Sequence, residues 1–303
     1  MTVEWKPLTD RFGAEVTNVS VDAPFDEALG AELHQLMRTR SVLLFRGRPV
    51  AAEDQIRLMG LFGPVADEFE DGTRQSFVSN VDGYLEDGRL PFHSDFTYAA
   101  SAYLFLSLCA VELRGAAAPT HFASPSHGYA ALPDALQRRI ADMESIHLAP
   151  WNVEGGLAKL RLDEEIIDPS VHDYATIEEY PRRRWPVVLP HHDTGAPMLF
   201  VSETNSHIYG LSYDDSEALL KEIFAYAYAP ENVYVHEWRQ DDLLIWDNFA
   251  VQHARPAFAA TGAVRTLRRV ACTEQGRSIP DIYEMSGAQL PRPMRALYPD
   301  CVR

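Results

Sequence analysis

Apolar residues recur at helical spacing in four stretches of the chain. After Ala23-Pro24-Phe25-Asp26, the run from Glu27 to about Arg38 places Leu29, Leu33, Leu36 and Met37 on one helix face. Ala51 to Phe62 predicts a second helix, stopped by Gly63-Pro64. Ser124 is a natural N-cap with Pro125 at the first helical position, and that region extends, broken at Pro133, toward Ser145. Ser212-Tyr213-Asp214-Asp215 opens the fourth helix, striped by Leu219, Leu220, Ile223 and Phe224.

Elsewhere the apolar runs are short and end in turn residues. Ser41–Phe45 is closed by Arg46-Gly47-Arg48-Pro49. Phe77–Val81, Tyr103–Leu113, Trp185–Leu189, Met198–Ser202, Leu243–Trp246 and Val264–Cys272 read the same way, as strands. Many short strands with few helices predict a mainly β fold with flanking helices, a barrel or jelly roll. The stretch from Trp151 to Arg184 is polar, charged and weakly periodic, and is expected to be an insertion or lid. There is no internal repeat or low-complexity segment.

Composition changes this picture little. The 303 residues are 46% hydrophobic and 23% charged, an ordinary globular balance. Length alone suggests two domains, but β-barrel enzymes of this size are commonly one unit, and a single domain over 1–303 is expected. The net charge of −17, from 44 acids and 27 bases, argues against a nucleic-acid partner, since phosphate binding needs clustered Lys and Arg. A small anion is still allowed, because a local arginine pair can dominate a pocket. Cys109, Cys272 and Cys301 form no CxxC spacing, and the first two sit in apolar runs as buried thiols. No run reaches 18 apolar residues and Met1–Trp5 has no leader character, so a soluble cytoplasmic protein with no membrane association is expected.

Candidate chemistry centres on His93-Ser94-Asp95. Residues two apart on an extended segment face the same side, so an imidazole and a carboxylate can reach one ion. A second histidine from elsewhere would complete a two-histidine, one-carboxylate face, which leaves open positions suited to Fe(II) and oxygen. HxD by itself is a weak signal. His253, seven residues after Trp246, is followed at 12 and 16 residues by Arg265 and Arg269. Four apart on a strand, the two arginines share a face within an apolar run. They are either exposed charges on an edge strand or buried cations awaiting anionic partners.

Taken together, these segments resemble the TauD/TfdA family of Fe(II)- and 2-oxoglutarate-dependent dioxygenases over nearly the whole chain. The similarity is carried by Pro7–Val16, Ser41–Phe45, Leu61-Phe62-Gly63, Phe92–Tyr98, Thr120–Ser124, Leu199–Ser202, Trp246-Asp247-Asn248, His253, Arg265 and Arg269. The resemblance implies a double-stranded β-helix core, iron held by His93, Asp95 and His253, and 2-oxoglutarate held by Thr120 and Arg265. It also implies O2 as co-substrate, a small organic acid held by Arg269, and Asn205, Phe96 and Arg89 near the substrate. The outcome would be hydroxylation, oxidative bond cleavage or desaturation with release of succinate and CO2, with no catalytic side chain beyond the iron ligands. The family habit implies a homo-oligomer. Two departures stand out: Ala117-Ala118-Pro119 replaces the usual Gly-Gly-Asp before the threonine, and Phe249 stands where arginine usually follows Trp-Asp-Asn. A metal- or acid-binding barrel without catalysis, and a zinc hydrolase on the same ligands, are the competing readings.

Overall fold

The computed structural model describes residues 2–81, 88–99, 102–149, 151–153, 156–158, 181–257, 262–279 and 281. Cys301 and most of the expected lid lie outside them. The first eight strands are β1 (Trp5–Pro7), β2 (Ala14–Val16), β3 (Val42–Phe45), β4 (Ser76–Ser79), β5 (Leu90–His93), β6 (Tyr103–Arg114), β7 (Thr120–Ala123) and β8 (Glu144–Leu148). Next come β9 (Trp151–Val153), β10 (Gly156–Ala158), β11 (Arg182–Pro186), β12 (Val188–Pro190), β13 (Pro197–Leu199) and β14 (Ser206–Ile208). The last four are β15 (Val233–His236), β16 (Leu243–Asp247), β17 (Gln252–Arg255) and β18 (Val264–Thr273). The helices are α1 (Glu27–Arg40), α2 (Ala52–Met59), α3 (Pro125–Ala131), α4 (Asp134–Ile140) and α5 (Tyr213–Ala227).

Seven strands form a large sheet in the order β1-β2-β3-β16-β6-β18-β4, and four form a smaller one in the order β15-β7-β17-β5. The two make a jelly-roll core. β3 and β16 are apolar on both faces because the large sheet is covered on both. Val42, Leu44, Leu244 and Trp246 face the interior shared with Phe122 and Val251 of the small-sheet side. Leu43, Phe45, Leu243 and Ile245 face α1 and α2, meeting Leu33, Met37, Leu58 and Met59. α3, α4 and α5 enclose a third cluster with Val187, Leu199 and Ile208.

Local signals explain the helix ends. Asp26 caps α1 by accepting the Leu29 N–H at 2.7 Å. Ser41 ends it in a left-handed conformation, φ 62°, with its N–H bonded to the Met37 carbonyl. Ser124 and Pro125 start α3 as the sequence predicts. The helical region expected to reach Ser145 stops at Ile140, and Glu144–Leu148 is a strand between β11 and β14. Pairing on both sides outweighs the local pattern there. Residues 182–184, read as the end of the insertion, belong to β11, where Arg182 lies opposite Leu148. Trp185–Leu189 is divided between β11 and β12, and β4 ends at Ser79 rather than Val81. Cys109 and Cys272 are buried free thiols. Among the described residues, no helix is long and apolar enough to cross a membrane.

Candidate active site

The register of the small sheet places His93 of β5 opposite His253 of β17. Directly opposed residues bring their side chains together, and the two imidazole centroids are 4.2 Å apart. Asp95 follows where the chain leaves β5, just before Phe96, which takes a left-handed φ of 58°. Aromatic residues rarely adopt that conformation, so the turn is held by its surroundings. Ligand-capable atoms of His93, Asp95 and His253 all lie within 4.8 Å of one another. Asp95 Oδ1 is 3.3 Å from His93 Nε2 and 3.9 Å from His253 Nε2. Each side chain is 13–15% exposed, so the cluster is buried yet reachable.

His93 Nδ1 is 2.8 Å from the Pro91 carbonyl and donates to it, which turns Nε2 toward Asp95. Burial drives the His253 imidazole down to about 3, so it is neutral. Burial also works against a charged His93, but the bond to Asp95 and its charge prevail and move it upward. Asp95 is held well below the usual carboxylate range: burial opposes this, while the His93 bond, the two facing imidazoles and Arg269 outweigh it.

The Trp-Asp-Asn segment holds this geometry. Trp246 packs on the His253 ring at 5.0 Å. Asp247 Oδ1 accepts the N–H groups of Phe249 and Ala250, fixing the reversal between β16 and β17. Asn248 clamps the other ligand strand. Its Oδ1 accepts the Asp95 N–H at 2.9 Å, and its Nδ2 donates to the Asp95 and Tyr103 carbonyls, each at 2.9 Å.

Thr120 and Arg265 meet across the two sheets. Arg265 Nη2 donates to Thr120 Oγ1 at 2.9 Å, and Trp238 Nε1 donates to the same oxygen at 3.0 Å. A hydroxyl oxygen that accepts twice directs its own proton elsewhere. Trp238 carried no signal in the sequence beyond being a lone aromatic in Glu237–Gln240. Arg265 is 3% exposed, its Nε has no hydrogen-bond partner, and no carboxylate pairs with it among the described residues. Burial, with Arg255 nearby, lowers it to about 9, so it remains a cation. A buried, unpaired guanidinium beside a hydroxyl donor is a receptor for a carboxylate.

Arg269 lies on the same face of β18, as the even spacing predicts, but it is engaged. Its Nη2 donates to Glu68 Oε1 at 2.6 Å, and its Nη1 is 3.4 Å from Asp95 Oδ2. Glu68 was not singled out in the sequence, where it sits in an ordinary acidic stretch. Asn205 is buried, donating to Thr97 Oγ1 at 3.2 Å and accepting the Ser202 hydroxyl. Thr97 also meets His147 at 2.8 Å. Phe96 packs against Tyr98 and Tyr103. Arg89 is exposed, and its guanidinium binds both oxygens of Glu203.

A second cluster, His191, His192 and Asp247, also has metal-ligand spacing. His191 Nδ1 accepts the Asp193 and Thr194 N–H groups, which puts its proton on Nε2, the atom facing Asp247. The two rings stack at 12°. Phe249, in place of the arginine, stacks on Phe200 at 5.3 Å, and these histidines supply the polar neighbours of Asp247. The tautomer suits a histidine–carboxylate contact and opposes metal ligation.

A family profile described as taurine catabolism dioxygenase TauD, TfdA family matches residues 4–271. The chain is 28% identical over 295 residues to an alpha-ketoglutarate-dependent 2,4-dichlorophenoxyacetate dioxygenase of Cupriavidus pinatubonensis, covering 89% of this chain and 97% of that one. It is also 28% identical over 261 residues to an (S)-phenoxypropionate/alpha-ketoglutarate-dioxygenase of Sphingobium herbicidovorans, covering 82% and 87%. Among solved structures it resembles a taurine dioxygenase from Burkholderia xenovorans, with a TM-score of 0.72, 20% identity and 90% of each chain covered. AAD-2 in complex with Mn(II) and N-oxalylglycine is as similar, with a TM-score of 0.72, 23% identity and 90% and 98% covered. At these identities the structural likeness bears on the fold.

Proposed function

The chain belongs to the TauD/TfdA family of dioxygenases, and from that premise we propose that His93, Asp95 and His253 hold its iron while Thr120 and Arg265 hold 2-oxoglutarate. The protein is a 2-oxoglutarate-dependent oxygenase of a small organic acid or a related compound, formed by one domain. The observation that carries the site assignment is Arg265: a buried cation with no carboxylate partner among the described residues, bonded to the Thr120 hydroxyl. Burying such a charge is costly unless an anion arrives. A dicarboxylate supplies one carboxylate to the Arg265 fork and the Thr120 hydroxyl proton.

The donor set fits Fe(II): two imidazole nitrogens and one ionised carboxylate. Bound iron supplies oxygen activation coupled to oxidative decarboxylation of 2-oxoglutarate to succinate and CO2. The chain's own residues do the positioning. Pro91 fixes the His93 tautomer, Asn248 holds the Asp95 backbone, and Trp246 and Phe122 flank the His253 ring. The relatives' names describe aryloxyalkanoate substrates and support an organic-acid class here. The family habit supports a homo-oligomer, and the free thiols Cys109 and Cys272 fit a reducing cytoplasm.

The test is succinate formation by protein loaded with Fe(II) without oxygen, then exposed to air with 2-oxoglutarate and a panel of small organic acids and their derivatives. Succinate should rise with at least one compound and vanish in His93→Ala. No succinate with any compound, together with no affinity for 2-oxoglutarate, would remove the assignment.

A further inference from the structure

Trp238 is neither a metal ligand nor a charged group, yet it is buried beside both residues of the carboxylate receptor. β15 runs antiparallel to β7 with His236 opposite Thr120, so the chain leaving β15 stays close to Thr120. Two residues on, the Trp238 indole Nε1 donates to Thr120 Oγ1 at 3.0 Å. Its ring also faces Arg265, whose guanidinium carbon is 5.7 Å from the ring centroid. The indole is itself held: the His236 ring stands nearly perpendicular to it, with centroids 4.6 Å apart, and His236 Nε2 lies 3.1 Å from Asp242 Oδ2.

These contacts decide where one proton points. A hydroxyl oxygen has two lone pairs and one hydrogen, whereas indole and guanidinium N–H groups only donate. Trp238 and Arg265, at 3.0 and 2.9 Å, therefore occupy both lone pairs of Thr120 Oγ1. The hydroxyl hydrogen finds no acceptor among the described residues. It is left to donate to whatever enters the site, and a carboxylate is the acceptor that it shares with Arg265. Without the indole N–H one lone pair would be empty and the hydroxyl free to turn, so that binding would have to order it again. The ring acts on the cation as well. It stabilises the buried guanidinium through its face without placing a carboxylate on it, and Arg265 Nε stays without a hydrogen-bond partner.

We propose that Trp238 is a positioning residue for the cosubstrate: its N–H fixes the Thr120 hydroxyl as a donor to the distal carboxylate of 2-oxoglutarate. This rests on the reading of Thr120 and Arg265 as the 2-oxoglutarate receptor. Trp238 acts through Thr120, so its effect depends on that hydroxyl being present.

The experiment is calorimetric titration of the Mn(II)-loaded full chain with 2-oxoglutarate and with oxalate, which has no distal carboxylate. Wild type, Trp238→Phe, Thr120→Val and the double variant are compared. Phenylalanine keeps a ring against Arg265 and removes the N–H; should that variant not fold, Trp238→Leu takes its place in both backgrounds. Trp238→Phe should weaken 2-oxoglutarate binding about three- to tenfold, the size of one hydrogen bond. Affinity for Mn(II) and for oxalate should change by less than about twofold, a difference that a general loosening of the site would not produce. In the Thr120→Val background the same substitution should cost nothing further, because the oxygen it acts on is gone. Equal losses for oxalate and 2-oxoglutarate, no loss for 2-oxoglutarate, or a full loss persisting in the Thr120→Val background overturns the proposal. A wild type that binds oxalate but not 2-oxoglutarate overturns the oxygenase reading instead, and this proposal with it.

Discussion

At the scale of single residues, the site is organised by side chains that touch the ligand set without belonging to it. The Asn248 side chain makes three hydrogen bonds, two of them to the backbone of Asp95, and it is fully buried. Asn248→Ala leaves the three ligand side chains intact but frees the segment that carries one of them. Loss of such supporting contacts commonly costs about 10–100-fold in metal affinity. Competition of a fluorescent chelator for Mn(II) should therefore show weaker binding in Asn248→Ala by about tenfold or more. Unchanged affinity would mean that β5 alone positions Asp95. The Trp-Asp-Asn run was legible as a motif in the sequence, and its physical content lies in these contacts: packing on His253, a reversal held by Asp247 and a clamp on Asp95. Glu68 and Trp238 were not legible. A buried acid looks the same in sequence as a solvated one, and only its ion pair with Arg269 distinguishes it.

At the scale of elements, what the sequence made visible depends on how each strand is covered. β3, β6 and β16 are largely apolar on both faces because helices pack on one side and the small sheet on the other, and their runs stood out, as did the apolar positions between the arginines of β18. The small sheet did not stand out. β5, β7, β15 and β17 are four residues each and carry His93, Thr120, His236, His253 and Arg255, so their pattern is neither alternating nor continuously apolar. The elements richest in site residues are thus the ones that hydrophobic periodicity cannot find, and the ligand motif had to locate them. α1, α2 and α5 were legible to within a turn, whereas the third helical region, expected to run toward Ser145, ends at Ile140. At the end of α1, Ser41 occupies a left-handed position that favours glycine. Ser41→Gly should relieve that strain and stabilise the chain by about 0.5–1 kcal/mol. Thermal unfolding should show a midpoint roughly 1–2 °C higher. A lower midpoint would show that the serine side chain makes a compensating contact.

At the scale of the whole molecule, the site straddles the two sheets. His93, His253 and Thr120 come from the small sheet, whereas Arg265 and Arg269 come from the large one, so a bound metal and dicarboxylate would add to the apolar packing and the Arg265–Thr120 bond that already join the layers. Arg265 is the point where this arrangement costs stability before ligand binds, because burial has pushed it down to about 9 without a carboxylate partner among the described residues. Two consequences oppose each other in one variant. Arg265→Gln removes a buried cation while keeping a donor for Thr120, so the ligand-free variant should be as stable as the wild type or more so. It should also lose the dicarboxylate. With Mn(II) present, N-oxalylglycine at about 100 times its Kd should stabilise the wild type by about 2.7 kcal/mol. That corresponds to a rise in Tm of roughly 4 °C for a chain of this length. The Arg265→Gln variant should keep the shift produced by Mn(II) alone and lose the part added by N-oxalylglycine. A variant that is markedly less stable without ligand would make Arg265 a structural residue. One that retains the N-oxalylglycine shift would place the dicarboxylate elsewhere. Only an unchanged or higher starting Tm with the second shift gone fits a cation kept in the core for a ligand.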